Sequence, residues 1–370
     1  MAKSKSFPKP DPYFVGPKSD FFFIGGLSLV LFPLLYLVSG WEYFSEFLTA
    51  VFFAQLVVNY PHFSATVFRL YRSKDNYSAF PVTSFVLPFV ILLLTLAALM
   101  SPAFFASIFI MIYFFWSPYH FSGQSSGVTM VYARRNNFMI GKIERFFLSG
   151  FIFSSFLLPF TWVFSNSGEN ALTSVENATT VERFFGSAFY SINLPEWVQF
   201  PIFLFLIVCA LGFLWRMIEQ ANDKGLKFPP FMIFLPAVTH FVWFFFSARI
   251  GAFAFIALVP LFHSLQYLYI AWAVQLREKY SDARNAPTKK QVKKDTLEWY
   301  GYNVLGGVTQ FIILPAIASN IFNLPFIYAF LIISIGVQVH HFFVDGVIWK
   351  LRNPNALSAL TSNVPKWMKP

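Results

Sequence analysis

The sequence predicts an all-α fold: a polytopic helical bundle in a membrane, with about ten transmembrane helices and both termini in the cytoplasm. Composition is the first observation. Of the 370 residues, 56% are hydrophobic and 12% are charged, whereas soluble domains carry about 25% charged residues. The second is a series of apolar stretches long enough to cross a bilayer. The third is that 25 of the 27 Lys and Arg residues fall on one side of these stretches, as the positive-inside rule requires.

The apolar stretches define the predicted helices in chain order. They lie at roughly 21–39, 45–68, 79–100, 103–132, 146–164, 197–217, 229–247, 250–275, 300–318 and 324–348. The first follows a basic segment but lacks a clean small-residue cleavage site, so we interpret it as a retained helix. We predict one transmembrane domain over residues 1–370. Outside the helices it has a cytoplasmic N-terminus (1–20), an external loop (165–196), a cytoplasmic loop (278–295) and a cytoplasmic tail (353–370).

The predicted topology explains the basic excess of the chain, whose formal net charge is +10. Only Arg183 and Arg249 lie on the external side, so the basic excess marks the cytoplasmic face and we predict no nucleic-acid partner. A chain this apolar also excludes a soluble enzyme and a disordered protein. Its expected surroundings are membrane lipids, most simply those of a bacterial inner membrane. Cys209 is alone, which excludes a disulfide framework and a thiolate metal site.

All six histidines lie inside the predicted helices, where ionisable side chains are costly and rare unless they are paired or functional. Four of these helices each carry one histidine within a polar stripe at helical spacing. The stripes are Gln55, Asn59, His62 and Thr66; Tyr113, Ser117, His120 and Gln124; His263, Gln266, Tyr267 and Ile270; and Gln338, His341 and Asp345. Such stripes face one another or a cavity rather than lipid.

The four histidines also lie at similar depth. From the first cytoplasmic basic residue, His62 lies roughly 10 Å deep, His341 roughly 14 Å, and His120 and His263 roughly 21 Å. We therefore predict a metal centre with His62, His120, His263 and His341 as ligands, because neutral imidazole suits iron, copper, zinc and nickel. The alternative is a polar network between helices without a metal.

A second set of residues is predicted to support these ligands. As additional ligands, or as hydrogen-bond partners of the second ring nitrogens, we expect His340, His240, Asp345, Gln124, Gln266, Asn59 and Gln338. Asp345 is the one carboxylate well inside a predicted helix near a histidine, so it is also a candidate ligand. Tyr113, Tyr119 and Tyr267 are candidates for a substrate pocket, with simple packing as the alternative.

Three short motifs resemble those of a known family. They are Pro61-His62, Tyr119-His120-Phe121-Ser122-Gly123-Gln124 and Phe262-His263-Ser264-Leu265. These patches resemble the dispersed single-histidine motifs of the Brp/Blh family of membrane β-carotene 15,15'-dioxygenases. The resemblance implies that His62, His120, His263 and His341 hold one non-haem iron that cleaves a carotenoid to retinal. Phe63, Ser64 and Ala65 stand where the family has Gly and then Asp, which leaves open a relative with another substrate.

The expected function is therefore a membrane-embedded, histidine-ligated non-haem iron oxygenase that acts on an apolar, lipid-soluble substrate, with Fe²⁺ as the cofactor. The alternative class is a haem-binding membrane protein, or a transporter of a transition metal or of protons, that uses the same histidines. The boxes of clustered histidines typical of the membrane di-iron desaturases are absent from the sequence.

Overall fold

The computed structural model describes residues 11–72, 74–163, 165, 194–281, 286–351 and 354–368, and the secondary structure in these ranges is helical, without a strand. Seven helices among the described residues are long and apolar enough to cross a membrane. They are Pro17–Leu37, Val82–Met100, Lys142–Trp162, Glu196–Asp223, Ala254–Lys279, Lys289–Ile321 and Phe326–Ile348. The chain is therefore a helical protein of membrane type. The count of ten spans and the cytoplasmic placement of both termini stay predictions.

Thirteen helices, besides short separate 3-10 turns, build the described part of the chain. They are α1 (Pro17–Leu37), α2 (Phe44–Phe53), α3 (Asn59–Tyr71), α4 (Lys74–Ala79), α5 (Val82–Met100), α6 (Pro102–Arg135), α7 (Lys142–Val163), α8 (Glu196–Asp223), α9 (Leu235–Ile250), α10 (Ala252–Lys279), α11 (Lys289–Ile321), α12 (Phe326–Ile348) and α13 (Pro354–Thr361). Most of the predicted external loop, 166–193, lies outside the described residues.

The predicted helix over 45–68 is two helices, α2 and α3, joined by a short 3-10 turn at Ala54–Leu56. Gln55 lies in this turn and donates to the carbonyl oxygen of Ile256 at 2.8 Å. Pro61 lies in the first turn of α3, where its missing N–H has no intrahelical partner to lose. This restart sets the rotation of α3, and with it the direction of the neighbouring His62.

Two other boundaries also differ from the prediction. The segment at 229–247 begins with Pro229 and Pro230, and the helix that follows, α9, has only 16 residues. The predicted cytoplasmic loop 278–295 is shorter than expected, because α11 already begins at Lys289. A capping box starts this helix: Gln291 N donates to Thr288 Oγ1 at 3.3 Å, and Thr288 N donates to Gln291 Oε1 at 2.8 Å. The Thr and Gln of this capping box are present in the sequence, but the charged residues in the first turns of the helix led to its prediction as a loop.

The two terminal segments are attached to the bundle by buried polar groups. Asp20 is fully buried and accepts hydrogen bonds from the hydroxyls of Tyr132 and Tyr269, each at 2.6 Å, and from three backbone N–H groups. Arg135 is 1% exposed and donates to carbonyl oxygens of both terminal segments, at Tyr13 and at Leu360. The predicted polar tail thus includes a helix, α13, that packs against the bundle.

The helices that carry the predicted stripes pack on one another. α12 contacts α3 and α6, and α10 also contacts α3. α11 supports α3 from outside: a Cβ atom at Gly307 would lie 2.7 Å from the backbone carbon of Tyr60, so only glycine permits this approach. Tyr60 stacks on Phe311 with ring centroids 4.2 Å apart. Close packing on both sides therefore holds α3 in one rotation, with His62 turned towards α10 and α12.

Candidate metal centre

Four histidines from four helices converge in the interior. His62 (α3), His120 (α6), His263 (α10) and His341 (α12) are all buried, and one ring nitrogen from each lies within 4.8 Å of those of the other three. These are the four residues predicted as ligands. Helical phase and depth therefore identified the right face of each helix.

The ring of His62 is oriented by two polar residues. Its Nδ1 lies 3.0 Å from Ser264 Oγ, and the Ser264 hydroxyl donates to Asn59 Oδ1 at 2.7 Å. Because the Ser264 proton goes to Asn59, the hydroxyl oxygen accepts the Nδ1–H of His62. The Nε2 atom of His62 then carries the lone pair, and it is buried without a hydrogen-bond partner among the described residues.

His263 has the least satisfied ring of the four. Both of its ring nitrogens are buried and neither has a hydrogen-bond partner in the described part of the chain. Its ring lies 5.1 Å from that of His62 and 5.0 Å from that of His120, centroid to centroid. A buried polar atom left unpaired costs roughly 1–3 kcal/mol, and a metal ion accepts the lone pair that no protein group takes.

Asp345 lies on the edge of this cluster. Its Oδ2 is 3.3 Å from His341 Nε2 and 3.9 Å from His120 Nε2, while the two Nε2 atoms are 3.2 Å apart. The other carboxylate oxygen accepts a hydrogen bond from Thr66 at 3.2 Å. Asp345 is thus close enough to take either predicted role, additional ligand or hydrogen-bond partner of a ligand.

Tyr267 connects the carboxylate to the wider structure. Thr66 Oγ1 and the Tyr267 hydroxyl are 2.7 Å apart, and Trp349 Nε1 donates to the same hydroxyl at 3.1 Å. The Tyr267 ring packs against His62 with centroids 4.6 Å apart. This tyrosine therefore supports the metal-site residues as well as lining the cavity described below.

The predicted glutamine partners act on the backbone rather than on imidazole rings. Gln124 Nε2 donates to Gln266 Oε1 at 2.9 Å and to the carbonyl oxygen of His263 at 3.1 Å. Gln266 Nε2 donates in turn to the carbonyl oxygen of Ile24 at 2.6 Å. These bonds connect α6, α10 and α1, so they position His263 through its main chain.

Three further candidates lie outside the group of four. His240 is fully buried and its Nε2 contacts Ser122 Oγ at 3.0 Å. His340 is half-buried, and its Nε2 is unpaired among the described residues. Gln338 is half-buried and has no hydrogen bond to the cluster in the described chain. The dyad His340-His341 thus contributes one residue to the cluster, His341, as its phase with Asp345 predicted.

A cavity of about 710 Å³ reaches the cluster from one side. His120, Asp345 and Tyr267 line its inner end, whereas the remaining three histidines are not in its wall. Tyr119 also lines it, with a side chain 57% exposed that packs on Phe153. Tyr113 instead packs on Phe342, with ring centroids 6.5 Å apart. Of the three predicted pocket tyrosines, Tyr119 and Tyr267 therefore line the cavity.

The residues present fit a metal ion. Two nitrogens bound to one ion at about 2.1 Å lie at most about 4.2 Å apart, so the widest separation of 4.8 Å closes with a small adjustment. His62 Nε2 and His263 are unpaired donors inside the cluster. Four buried histidines close together could therefore bind a metal ion, although the donor set suits several transition metals.

Ser264 is a supporting residue that the sequence pattern did not identify. It follows His263 directly, so it does not share that residue's helical face, and its contact with His62 crosses between helices. The sequence shows a polar serine beside His263, but it does not show which neighbouring helix the Ser264 side chain contacts, because that depends on packing.

We expect Ser264→Ala to weaken metal binding by about 10–100-fold, because His62 loses the acceptor that sets its tautomer. Chelator competition on the metal-loaded protein measures this change. Ser154→Ala is the matched control, since Ser154 is 2% exposed and its hydroxyl donates to the carbonyl of Gly150 in its own helix at 2.6 Å. Equal chelator resistance of the two variants would contradict an orienting role for Ser264.

Comparisons with protein-family models, with curated proteins and with solved structures find no match to this chain.

Proposed function

We propose that this protein is a membrane-embedded oxidoreductase in which His62, His120, His263 and His341 hold one non-haem iron and act on a lipid-soluble substrate. The observation that carries the proposal is a buried four-imidazole cluster at the inner end of a large cavity. Neutral imidazoles bind Fe²⁺ without neutralising its charge, and an iron held in this way supplies redox chemistry with dioxygen. Carotenoid cleavage is the specific reaction that the sequence resemblance adds to this proposal.

The residues that line the cavity have different roles in this proposal. His120, Asp345 and Tyr267 meet both the cavity and the cluster, so a substrate approaches the metal site from between α6 and α12. Trp116 and Phe342 supply apolar wall, which suits a chain or polyene and excludes water from the site. The Asp345 carboxylate, at 3.3 Å from His341 Nε2, is the nearest group able to hold a proton beside the cluster.

The same geometry favours a catalytic centre over the alternative classes. Haem iron takes one or two axial ligands with a macrocycle between them, and four imidazole donors within 4.8 Å leave no space for one. A transporter needs ligands spread along a path, whereas these four are gathered at one point. The donors therefore support a mononuclear site.

Metal analysis followed by oxygen uptake tests the proposal. We expect the detergent-purified protein to carry about one equivalent of metal per chain. After anaerobic loading with Fe²⁺ it should consume oxygen when a long polyene such as β-carotene is supplied. Loading with Zn²⁺, which has no redox chemistry, is the matched control and should give no uptake. Absence of bound metal, or uptake that is the same with Zn²⁺, contradicts the proposal, as does a haem absorption band.

A further inference from the structure

The cavity that reaches the candidate metal centre is also a groove with a charged outer end. One face of α6 runs along it from the cluster outwards, through His120, Gln124, Gly127, Val131 and Arg134. These residues follow the spacing of a single helical face. At 1.5 Å per residue, Arg134 lies ~21 Å from His120 along the helix axis.

Three glycines form part of the wall in the middle of this groove. Gly123 and Gly127 on α6 and Gly346 on α12 all line the cavity, and a Cβ atom at any of the three would meet nothing within 4 Å. No neighbouring backbone therefore requires glycine at these positions. Instead they leave open space between two helices, and the apolar walls beside it include Val131 and Trp349, as suits a ligand with a hydrocarbon chain.

The outer end is basic. Arg134 lies in the last turn of α6, Arg145 lies in the first turn of α7, and Lys350 follows α12, so segments from three different helices bring a cation to one mouth. All three side chains are exposed, and among the described residues none forms an ion pair or a side-chain hydrogen bond. Some other cations of the described chain are paired: Arg69 contacts Glu278 at 3.1 Å, and Arg216 contacts Glu144 at 2.8 Å.

We propose that the cavity binds a long-chain amphiphile whose anionic end group, a carboxylate or a phosphate, contacts Arg134, Arg145 and Lys350, while its apolar chain passes the glycines towards His120. As a statement about the substrate it rests on the proposed function. Arginine binds both oxyanions through paired N–H donors. Free cations near the membrane surface attract such end groups from the lipid phase. The anchored end then determines which part of the chain reaches the metal site, ~21 Å away.

Binding of three ligands that share a long chain tests this proposal. Radiolabelled oleate, oleyl alcohol and a lysophosphatidylglycerol are titrated against the full-length protein in non-ionic detergent at low salt. We expect at least one anionic ligand to bind about tenfold more tightly than the alcohol, with a difference that shrinks at high salt. Tight binding of oleate alone identifies a carboxylate, and tight binding of the lysophospholipid alone identifies a phosphate headgroup.

The variant Arg134→Gln/Arg145→Gln/Lys350→Gln should lose the tenfold preference while keeping its affinity for the alcohol. Lys289→Gln/Lys290→Gln/Lys293→Gln is the matched control, because it removes three exposed cations at the start of α11, away from the cavity. If the triple variant does not fold, Arg134→Gln and Lys350→Gln singly should each reduce the preference. Equal binding of all three ligands by the unmodified protein, or a preference that survives in the mouth variants, overturns the proposal.

Metal content, measured on the same samples, separates this proposal from the preceding one. The mouth variants should retain the wild-type metal content, since none of the substituted residues belongs to the cluster. A protein that prefers anionic ligands but binds no metal would refute the oxygenase and leave the amphiphile site standing. A protein that carries the metal but binds anionic and uncharged ligands equally well would refute the amphiphile site and leave the oxygenase standing.

Discussion

His263→Ala is expected to reduce bound metal from about one equivalent per chain to below about one tenth. The ring it removes has two buried nitrogens that have no hydrogen-bond partner among the described residues, as expected of a ring that donates to a metal. Loss of one of four donors leaves three imidazoles whose rings were held in place partly by contact with His263. Elemental analysis of the purified variant measures the change.

His240→Ala is the matched control for this experiment. Both histidines are buried, at 0% and 1% exposure, and lie on the neighbouring helices α9 and α10. Each substitution therefore leaves a similar cavity, with a destabilisation of about 2–5 kcal/mol typical of large-to-alanine changes in a core. Only His263 belongs to the cluster. Full metal retention by His263→Ala, or equal metal loss in both variants, would show that the four histidines are a structural network.

Gly127→Phe is expected to reduce turnover of a long-chain substrate by about 100-fold without changing the metal content. A side chain at Gly127 projects into the groove between α6 and α12, and its Cβ meets nothing within 4 Å, so the helix accepts it without a clash. The ring fills the channel between the metal site and its mouth. Displacing reacting atoms by as little as ~1 Å can cost ~10²-fold in rate.

Gly301→Phe controls for the loss of a helical glycine. Gly301 is exposed on α11, and a Cβ there also meets nothing within 4 Å, but it does not line the cavity. Metal-dependent oxygen uptake, with metal content determined in parallel, distinguishes the two variants. If Gly127→Phe turned over substrate at the rate of Gly301→Phe, the substrate would have to reach the cluster by another route.

Much of the candidate site could be predicted because its signals are local. Four polar stripes at helical spacing identified the inward face of each helix, and His341 was preferred over His340 because it shares a face with Asp345. The structure brings these four histidines within 4.8 Å of one another. Charged and amide side chains are costly in hydrocarbon, so in a chain with 12% charged residues their spacing is informative.

The hydrogen-bond partners could not be predicted in the same way. The side chain of Asn59 reaches His62 through Ser264, and Gln124 holds the main chain of His263 rather than a ring. Each of these contacts joins two helices, and its existence depends on how those helices are rotated and displaced relative to each other. A periodic pattern indicates which face is polar, but it does not indicate which atom on the facing helix that side chain meets.

Composition and periodicity were therefore sufficient for the class of the protein, its helical character and the identity of the four clustered histidines, because apolar length and helical phase are properties of single segments. The break between α2 and α3, the early start of α11 and the open groove from His120 to the basic mouth depend on contacts between segments. The three mouth cations come from positions 134, 145 and 350 of the chain, and packing of α6, α7 and α12 places them at the end of one channel.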